Sequence, residues 1–281
     1  MSQEFVKTER RDGVVLATLH DPATRNAVGQ EMARELLEEL DRFDDDPEDR
    51  VLLLTGTDPS FCSGANVRRF DRDIQERSAE SREPESLPWG QMEARLGARE
   101  RRDRALGARL PLRIHQLQKP SIAAVNGHAV GLGMGLALAC DIRIASERAV
   151  FSEAFVRMGL VPGDGSCWQL PRLIGLGNTF LLQYTGDRVD ATEAFRMGLV
   201  ARVVPHEEML PAATELASRL ARGATRSMSL TKYLVHRSLD TGLEESLELA
   251  HAAQDIARAT EDHREAVQAF LQKRQPRFQG R

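Results

Sequence analysis

The sequence predicts an α/β fold followed by a helical C-terminal region, and three observations predict it. Residues 121–125 form a short apolar run rich in β-formers. Asn126-Gly127 follows, and then the glycine-spaced segment Gly131-Leu132-Gly133-Met134-Gly135, which passes into an apolar helix ending near Cys140. Near the N-terminus, two β-runs, an amphipathic helix and an apolar strand succeed one another, the alternation from which α/β domains are built. Beyond Gly165 the periodicity becomes helical almost to the end of the chain.

In order, residues 5–9 and 14–19 read as a β-hairpin around Asp12-Gly13, a pair suited to a tight turn. Arg25-Asn26-Ala27 leads into a helix over 30–43, where Met32, Leu36, Leu37, Leu40 and Phe43 recur at three and four residues. Asp44 to Asp46 and Pro47 stop it. Residues 51–54 are a buried strand by composition. Phe61-Cys62-Ser63-Gly64-Ala65-Asn66 follows, and Gly64 marks a tight turn or close backbone approach. Residues 68–113 are dense in Arg and Glu; a loop holding Pro84, Pro88 and Trp89 is expected there, then a helix over 91–117 with a solvated charged face. Short helical pieces over 168–173, 179–184 and 191–197 are separated by Gly175, Gly177 and Gly186. A last strand over 199–204 and helices over 207–222, 227–239, 243–258 and 262–273 complete the chain. The expected division is a core over 1–205 and a helical region over 206–281.

Composition narrows the function classes. The 281 residues suffice for one large core and an appended smaller region, and 41% hydrophobic with 28% charged residues is ordinary for a globular protein. A net charge of −4 argues against a nucleic-acid surface. The longest apolar run, residues 129–140, is too short to span a bilayer, and the N-terminus lacks an apolar leader, so a cytoplasmic protein without membrane partners is expected. Three scattered cysteines, Cys62, Cys140 and Cys167, form neither a disulfide framework nor a metal-ligand pattern, so no metal is expected.

The glycine segment at 131–135 carries the functional signal. A helix entered through glycines presents unpaired backbone N–H groups at its positive end, which stabilise an oxyanion. The spacing G-x-G-x-G lacks the ending of a dinucleotide fingerprint, and no acidic residue follows a second strand as such a site requires. Close packing of a buried helix would also use these glycines.

Pro22-Ala23-Thr24-Arg25-Asn26-Ala27, Phe61-Cys62-Ser63-Gly64-Ala65-Asn66, Ala124-Val125-Asn126-Gly127 with Gly131-Leu132-Gly133, Ala139-Cys140-Asp141, residues 159–165 (GLVPGDG) and residues 273–278 (KRQPRF) together resemble the crotonase (enoyl-CoA hydratase/isomerase) superfamily nearly end to end. The resemblance implies a crotonase-like spiral of ββα units with a helical C-terminal trimerisation region, in a homotrimer or homohexamer. It implies an acyl-CoA thioester substrate, with coenzyme A as part of that substrate and no permanently bound cofactor. The thioester oxygen would lie between the N–H groups of Ala65 and Leu132. Coenzyme A contacts map onto Arg25, Ala27, Ser63 and Ala65 and, from a neighbouring subunit, onto Phe270 and Lys273.

The departures from that family bear on the reaction. The positions of its two hydratase glutamates hold Gly135 and Phe155, and the usual Asp after Gly-Ala is Asn66. Asp164, on the glycine-flanked loop Pro162-Gly163-Asp164-Gly165, is the first candidate for acid/base work, and in some members of the superfamily an aspartate of such a loop is catalytic. A turn or helix-capping role is its structural alternative. Glu153 is the second candidate, with stabilisation of a helix start as its alternative. His128 is expected to pack beneath the glycine loop, and Cys62 to be a small buried residue. The expected function is an acyl-CoA-processing enzyme that stabilises a thioester enolate or oxyanion, with both usual glutamates replaced. An isomerase or carbon–carbon bond hydrolase using Asp164 and a catalytically silent CoA-binding protein are the alternatives.

Overall fold

The computed structural model describes residues 4–66 and 106–281. Strands β1 (Val6–Arg11) and β2 (Val14–Leu19) form the expected hairpin. Asp12 and Gly13 both take positive φ in its two-residue turn, a backbone matched to the twist of the strands. Helix α1 (Gln30–Asp45) carries its apolar stripe into the core through Met32, Leu36, Leu40 and Phe43. β3 (Val51–Gly56) is buried along its whole length.

A recurrent pattern follows. β3 and then β4 (Ser60–Cys62), β5 (Ser121–Val125) and then β6 (His128–Val130), and β7 (Ile142–Ser146) and then β8 (Val150–Ser152) each place a long strand in one sheet and a short strand in another. After these pairs the chain enters, in turn, α2 (Leu106–His115), α3 (Leu132–Ala139), and a 3-10 turn (Ala154–Met158) with α4 (Ser166–Thr185). β9 (Val189–Asp190), α5 (Ala191–Met197) and β10 (Arg202–Val204) close the two sheets. These are a six-stranded sheet of order β1-β2-β3-β5-β7-β10, parallel beyond β2, and a four-stranded sheet of order β4-β6-β8-β9.

Alternation along the central strands builds two cores. Leu52, Leu54, Ala123, Val125 and Ala145 face the small sheet together with α1, α2 and α3. Val51, Leu53, Ile122, Ala124 and Ile144 face Met209, Ala213 and Ala217 of α6 (His206–Ala221). Packing therefore continues across the 205/206 boundary expected from sequence, because α6 covers one face of the main sheet.

The remaining helices, α7 (Thr225–Ser238), α8 (Leu243–Arg258) and α9 (Glu261–Leu271), bury little. Tyr233, Val235, Leu243, Leu247, Val267, Phe270 and Leu271 stay exposed on them. The C-terminal tail returns to the core. Arg50 donates to the carbonyls of Ala221, Phe278 and Gln279, and the buried Asp262 accepts from the N–H groups of Gln279 and Gly280.

Two differences from the sequence reading have physical causes. The pieces at 168–173 and 179–184 belong to one helix, α4, broken in direction at Gly175, whose φ of 75° is open to glycine. The small sheet was not expected, because strands of two or three residues carry no readable period. The loop with Trp89 and most of the helix expected over 91–117 lie outside the described residues.

Candidate active site

Helix α3 is buried on every side and begins where two loops meet. Gly131 enters it at φ 49° and ψ −119°, a conformation open only to glycine, while its N–H bonds to Ser152 O. Leu132 is then the first helical residue, so its N–H has no partner within the helix. The facing loop is fixed by Asn26. The side chain of this fully buried residue accepts from Asp21 N and donates to Thr57 O and Ser60 O, tying the Arg25 turn to the connection before β4.

Val28 and Ala65 form a single parallel bridge, in which Val28 N donates to Gly64 O and Asn66 N to Val28 O. In that pattern the Ala65 N–H points away from Val28. Among the described residues, no loop or turn hydrogen bond is donated by Ala65 N or Leu132 N. Glycines bring the two loops together. Gly64, at φ 108°, has no room for a Cβ beside Val130 O, and a Cβ on Gly133 would collide with the carbonyl of Cys62.

The carboxyl groups lie on the other face of α3. Two helical steps lead from Gly133 to Gly135, so they point about 200° apart. A Cβ at Gly135 would stand 2.5 Å from Asp164 Oδ2 and 2.7 Å from its Cβ, so the Asp164 side chain occupies the space beside the glycine. Asp164 is buried, as is Glu153, and both reach one hydroxyl: Ser166 Oγ is 2.7 Å from Asp164 Oδ1 and 3.0 Å from Glu153 Oε2. Ser166 N also donates to Asp164 Oδ1, at 3.1 Å. The other oxygens, Asp164 Oδ2 and Glu153 Oε1, are buried without a hydrogen-bond partner among the described residues. Burial, and then the charge of Asp164, pushes the Glu153 carboxyl up to about 9, while burial raises that of Asp164 against the bonds from Ser166.

Asp164 Oδ1 does hold the start of α4, through Ser166 N, and leaves Oδ2 free. The helix-start role expected for Glu153 is not what its side chain does. It precedes the 3-10 turn but makes no cap bond, and reaches across to Ser166 instead. Sequence reasoning missed Ser166; its place two residues after Asp164, at a helix start, was the available signal.

The other expected residues divide. Arg25, Ala27, Ser63 and Ala65 share one rim, where Ser63 N donates to Arg25 O, and Ser63 Oγ and Ala27 N both bond to Thr24. Phe270 and Lys273 stand at the end of α9, and no hydrogen bond or ion pair among the described residues joins them to that rim. Phe155 packs its ring edge 3.6 Å from where a Gly131 Cβ would stand. His128 lies half-buried on β6, with its imidazole shifted down by burial and by Arg188 and Arg25. Cys62 is fully buried and its thiol is pushed up to about 12 by that burial, which fits a packing role. Among the described residues there is no cluster of metal-ligating side chains and no helix long and apolar enough to cross a membrane.

Residues 9–281 match the family described as Enoyl-CoA hydratase/isomerase. The chain is 34% identical over 279 residues to the crotonyl-CoA hydratase of Syntrophomonas wolfei, covering 99% of each. It is 34% identical over 278 residues to the 1,2-epoxyphenylacetyl-CoA isomerase of Escherichia coli, again covering 99% of each. In structure it is similar to a putative enoyl-CoA hydratase/isomerase from Mycobacterium abscessus, with a TM-score of 0.86 at 32% identity over 98% of this chain and 100% of that one. A crotonase-type α/β fold, a sheet-bearing core with helices placed around two buried loops, is thus shared along the whole chain, which belongs to the enoyl-CoA hydratase/isomerase family.

Proposed function

We propose that the protein is an acyl-CoA enzyme that moves a proton next to the thioester carbonyl, with Asp164 as its acid/base group and the N–H groups of Ala65 and Leu132 receiving the oxygen. The observation that carries this reading is the placement of Asp164 Oδ2, a buried carboxylate oxygen without a partner among the described residues, against Gly135 in the first turn of the helix that Leu132 opens. Both relatives named above act, by their names, on CoA thioesters. Enolising a thioester puts negative charge on its oxygen. One preorganised donor there lowers the barrier by about 3 kcal/mol, and a base of tuned pKa contributes roughly 10²- to 10⁴-fold.

Of the two buried acids, Asp164 is the one set against Gly135, and a single carboxylate in that place favours an isomerase over a hydratase. A double-bond shift needs a base that takes a proton from one carbon and returns it to another, whereas hydration needs a base for water and a donor for the α-carbon. Gly135 and Phe155, at the positions of the two hydratase glutamates, supply neither. Arg25, Ala27, Ser63 and Ala65 are proposed to hold the coenzyme A portion. The exposed apolar residues of α7 to α9 support a homotrimer or homohexamer in which Phe270 and Lys273 reach a neighbour's ligand.

The test uses a series of 2-enoyl- and 3-enoyl-CoA thioesters, followed by absorbance for double-bond shift and by chromatography for hydrated product. Double-bond shift abolished by Asp164→Asn, with crotonyl-CoA hydrated very slowly, is the expected result. Rapid hydration of crotonyl-CoA, or Asp164→Asn with undiminished activity, overturns it. Calorimetric binding of NAD but not acetyl-CoA would overturn the ligand class.

A further inference from the structure

Two buried carboxyl groups share one hydroxyl in this site, and the hydrogens around that hydroxyl can be counted. Ser166 Oγ carries a single hydrogen, yet lies 2.7 Å from Asp164 Oδ1 and 3.0 Å from Glu153 Oε2; Gln183 Nε2 donates to the hydroxyl oxygen at 3.4 Å and brings no hydrogen to either carboxyl. One hydrogen cannot satisfy both oxygens, and two ionised carboxylates joined through one small group in a buried site repel each other strongly. A second hydrogen, carried by one of the acids and donated to Ser166 Oγ, satisfies every short contact.

The surroundings decide which acid carries it. Asp164 Oδ1 receives the Ser166 N–H as well as the hydroxyl, at the N-terminus of the 20-residue helix α4, where negative charge is stabilised. Glu153 has Ser166 as its only hydrogen-bond partner among the described residues, and no cation offsets its burial. The elements packed around the pair offer little else that titrates. α3 holds no ionisable residue. Arg157, on the 3-10 turn, is taken by Asp187 and Thr185 O. Cys167 on α4 is held up by burial and then by the charge of Asp164.

We propose that Glu153 and Ser166 are positioning residues for Asp164: Glu153 is protonated at neutral pH and donates to Ser166 Oγ, whose hydrogen goes to Asp164 Oδ1, so that Asp164 alone is ionised and keeps Oδ2 for substrate. This deepens the reading of Asp164 as the acid/base group and rests on it. The upward push on Glu153, to about 9, agrees with the count. Glu153 thus keeps a second negative charge away from the enolate without taking part in the proton transfer. Ser166 fixes the rotamer of Asp164 and favours its ionised form.

Infrared difference spectroscopy of the intact protein at neutral pH tests the protonation state independently of activity. A protonated carboxylic acid band is expected in the wild type and in Asp164→Asn, and is lost in Glu153→Gln. No such band in the wild type, or a band lost in Asp164→Asn but kept in Glu153→Gln, overturns the proposal. Titration of the aspartate carboxyl carbons by NMR tests Ser166. Ser166→Ala should raise the midpoint of Asp164 by on the order of one pH unit, because a donor to the ionised form is lost, and Ser166→Thr should restore it. An unmoved midpoint in Ser166→Ala overturns the positioning role. Asp164→Asn with undiminished turnover, beside the predicted spectra, would instead overturn the acid/base reading while leaving the protonation pattern standing.

Discussion

The rim that carries Ala65, packed through the Cys62 carbonyl on Gly133, and the carboxyl cluster around Ser166, packed on Gly135, approach α3 from opposite faces, and different parts of the chain hold them. On the rim side the contacts are backbone to backbone. Gly133 lies against the carbonyl of Cys62, Gly64 against that of Val130, and the parallel bridge at Val28 and Ala65 fixes the strand edge. On the Gly135 side the contacts are made by side chains, Asp164, Glu153 and Ser166, rooted on a loop, a 3-10 turn and a helix start. The donors that meet developing charge are thus set by chain path, which few substitutions can adjust. The acid/base group depends on which side chain reaches a space beside one glycine. Such a site keeps its oxyanion geometry while its carboxylate moves from one element to another.

Asp164→Asn separates the two sides most sharply. Asparagine keeps the oxygen that accepts from Ser166 N and Oγ but cannot take a proton. Activity on the true acyl-CoA should fall by on the order of 10²-fold or more, about 2.7 kcal/mol of barrier, with acetyl-CoA affinity and melting temperature nearly unchanged. A fall in melting temperature that accounts for the lost activity would show that Asp164 serves only to hold α4.

Gly133→Ala is the matching test of the rim. Its Cβ meets the carbonyl of Cys62, which is backbone and fully enclosed, so β4 or α3 must shift. A stability loss of about 2–3 kcal/mol, measured by urea denaturation, is expected, with weakened acetyl-CoA binding in the fraction that folds. Wild-type stability would mean that the two loops are less closely packed than the shared glycines require.

How much of this was legible in the sequence follows the same division. The rim was readable because the chain announces it twice, as Gly64-Ala65 after an apolar strand and as Gly131-Leu132-Gly133 before an apolar helix. In both, a glycine is needed for backbone geometry, which is a local property. The hairpin, α1 and α8 were readable for the same reason, their period or turn residues being local. The small sheet was not, because β9 has two residues and β4, β6 and β8 have three, and they hold together only through pairing across the chain. Asp164 could be singled out by its glycine-flanked loop, but its meeting with Glu153 on Ser166 is tertiary. Glu153 looked like a helix-start acid until the fold turned it inward.

Gly135→Ala crosses the two sides. Its Cβ would stand 2.5 to 2.8 Å from three atoms of the Asp164 carboxyl and Cβ, so the whole side chain must rotate and Oδ2 loses its place beside α3. Alanine favours the helix by roughly 1 kcal/mol over glycine, which offsets part of the strain. Activity should fall about tenfold or more while the melting temperature moves little, the reverse of Gly133→Ala. Full activity would move the working carboxylate away from Asp164.

The remaining expected effect is a pH dependence of stability, which comparison with Glu153→Gln assigns to Glu153. In the unfolded chain this carboxyl titrates near 4.3, whereas in the folded protein burial and the charge of Asp164 push it up to about 9. Between those values the folded protein binds a proton that the unfolded chain has released, so stability falls with rising pH. The contribution of Glu153 is fully present below about pH 4.3 and is lost as the pH rises through about 9. Glu153→Gln keeps the shape and a hydrogen-bond donor toward Ser166 but has no proton to lose. Relative to this variant, the wild type should lose melting temperature steadily between about pH 6 and pH 9, when both are melted in buffers of equal ionic strength. Parallel melting curves across that range would mean that the folded Glu153 is already ionised at neutral pH, and that the carboxyl side of α3 holds two charges instead of one.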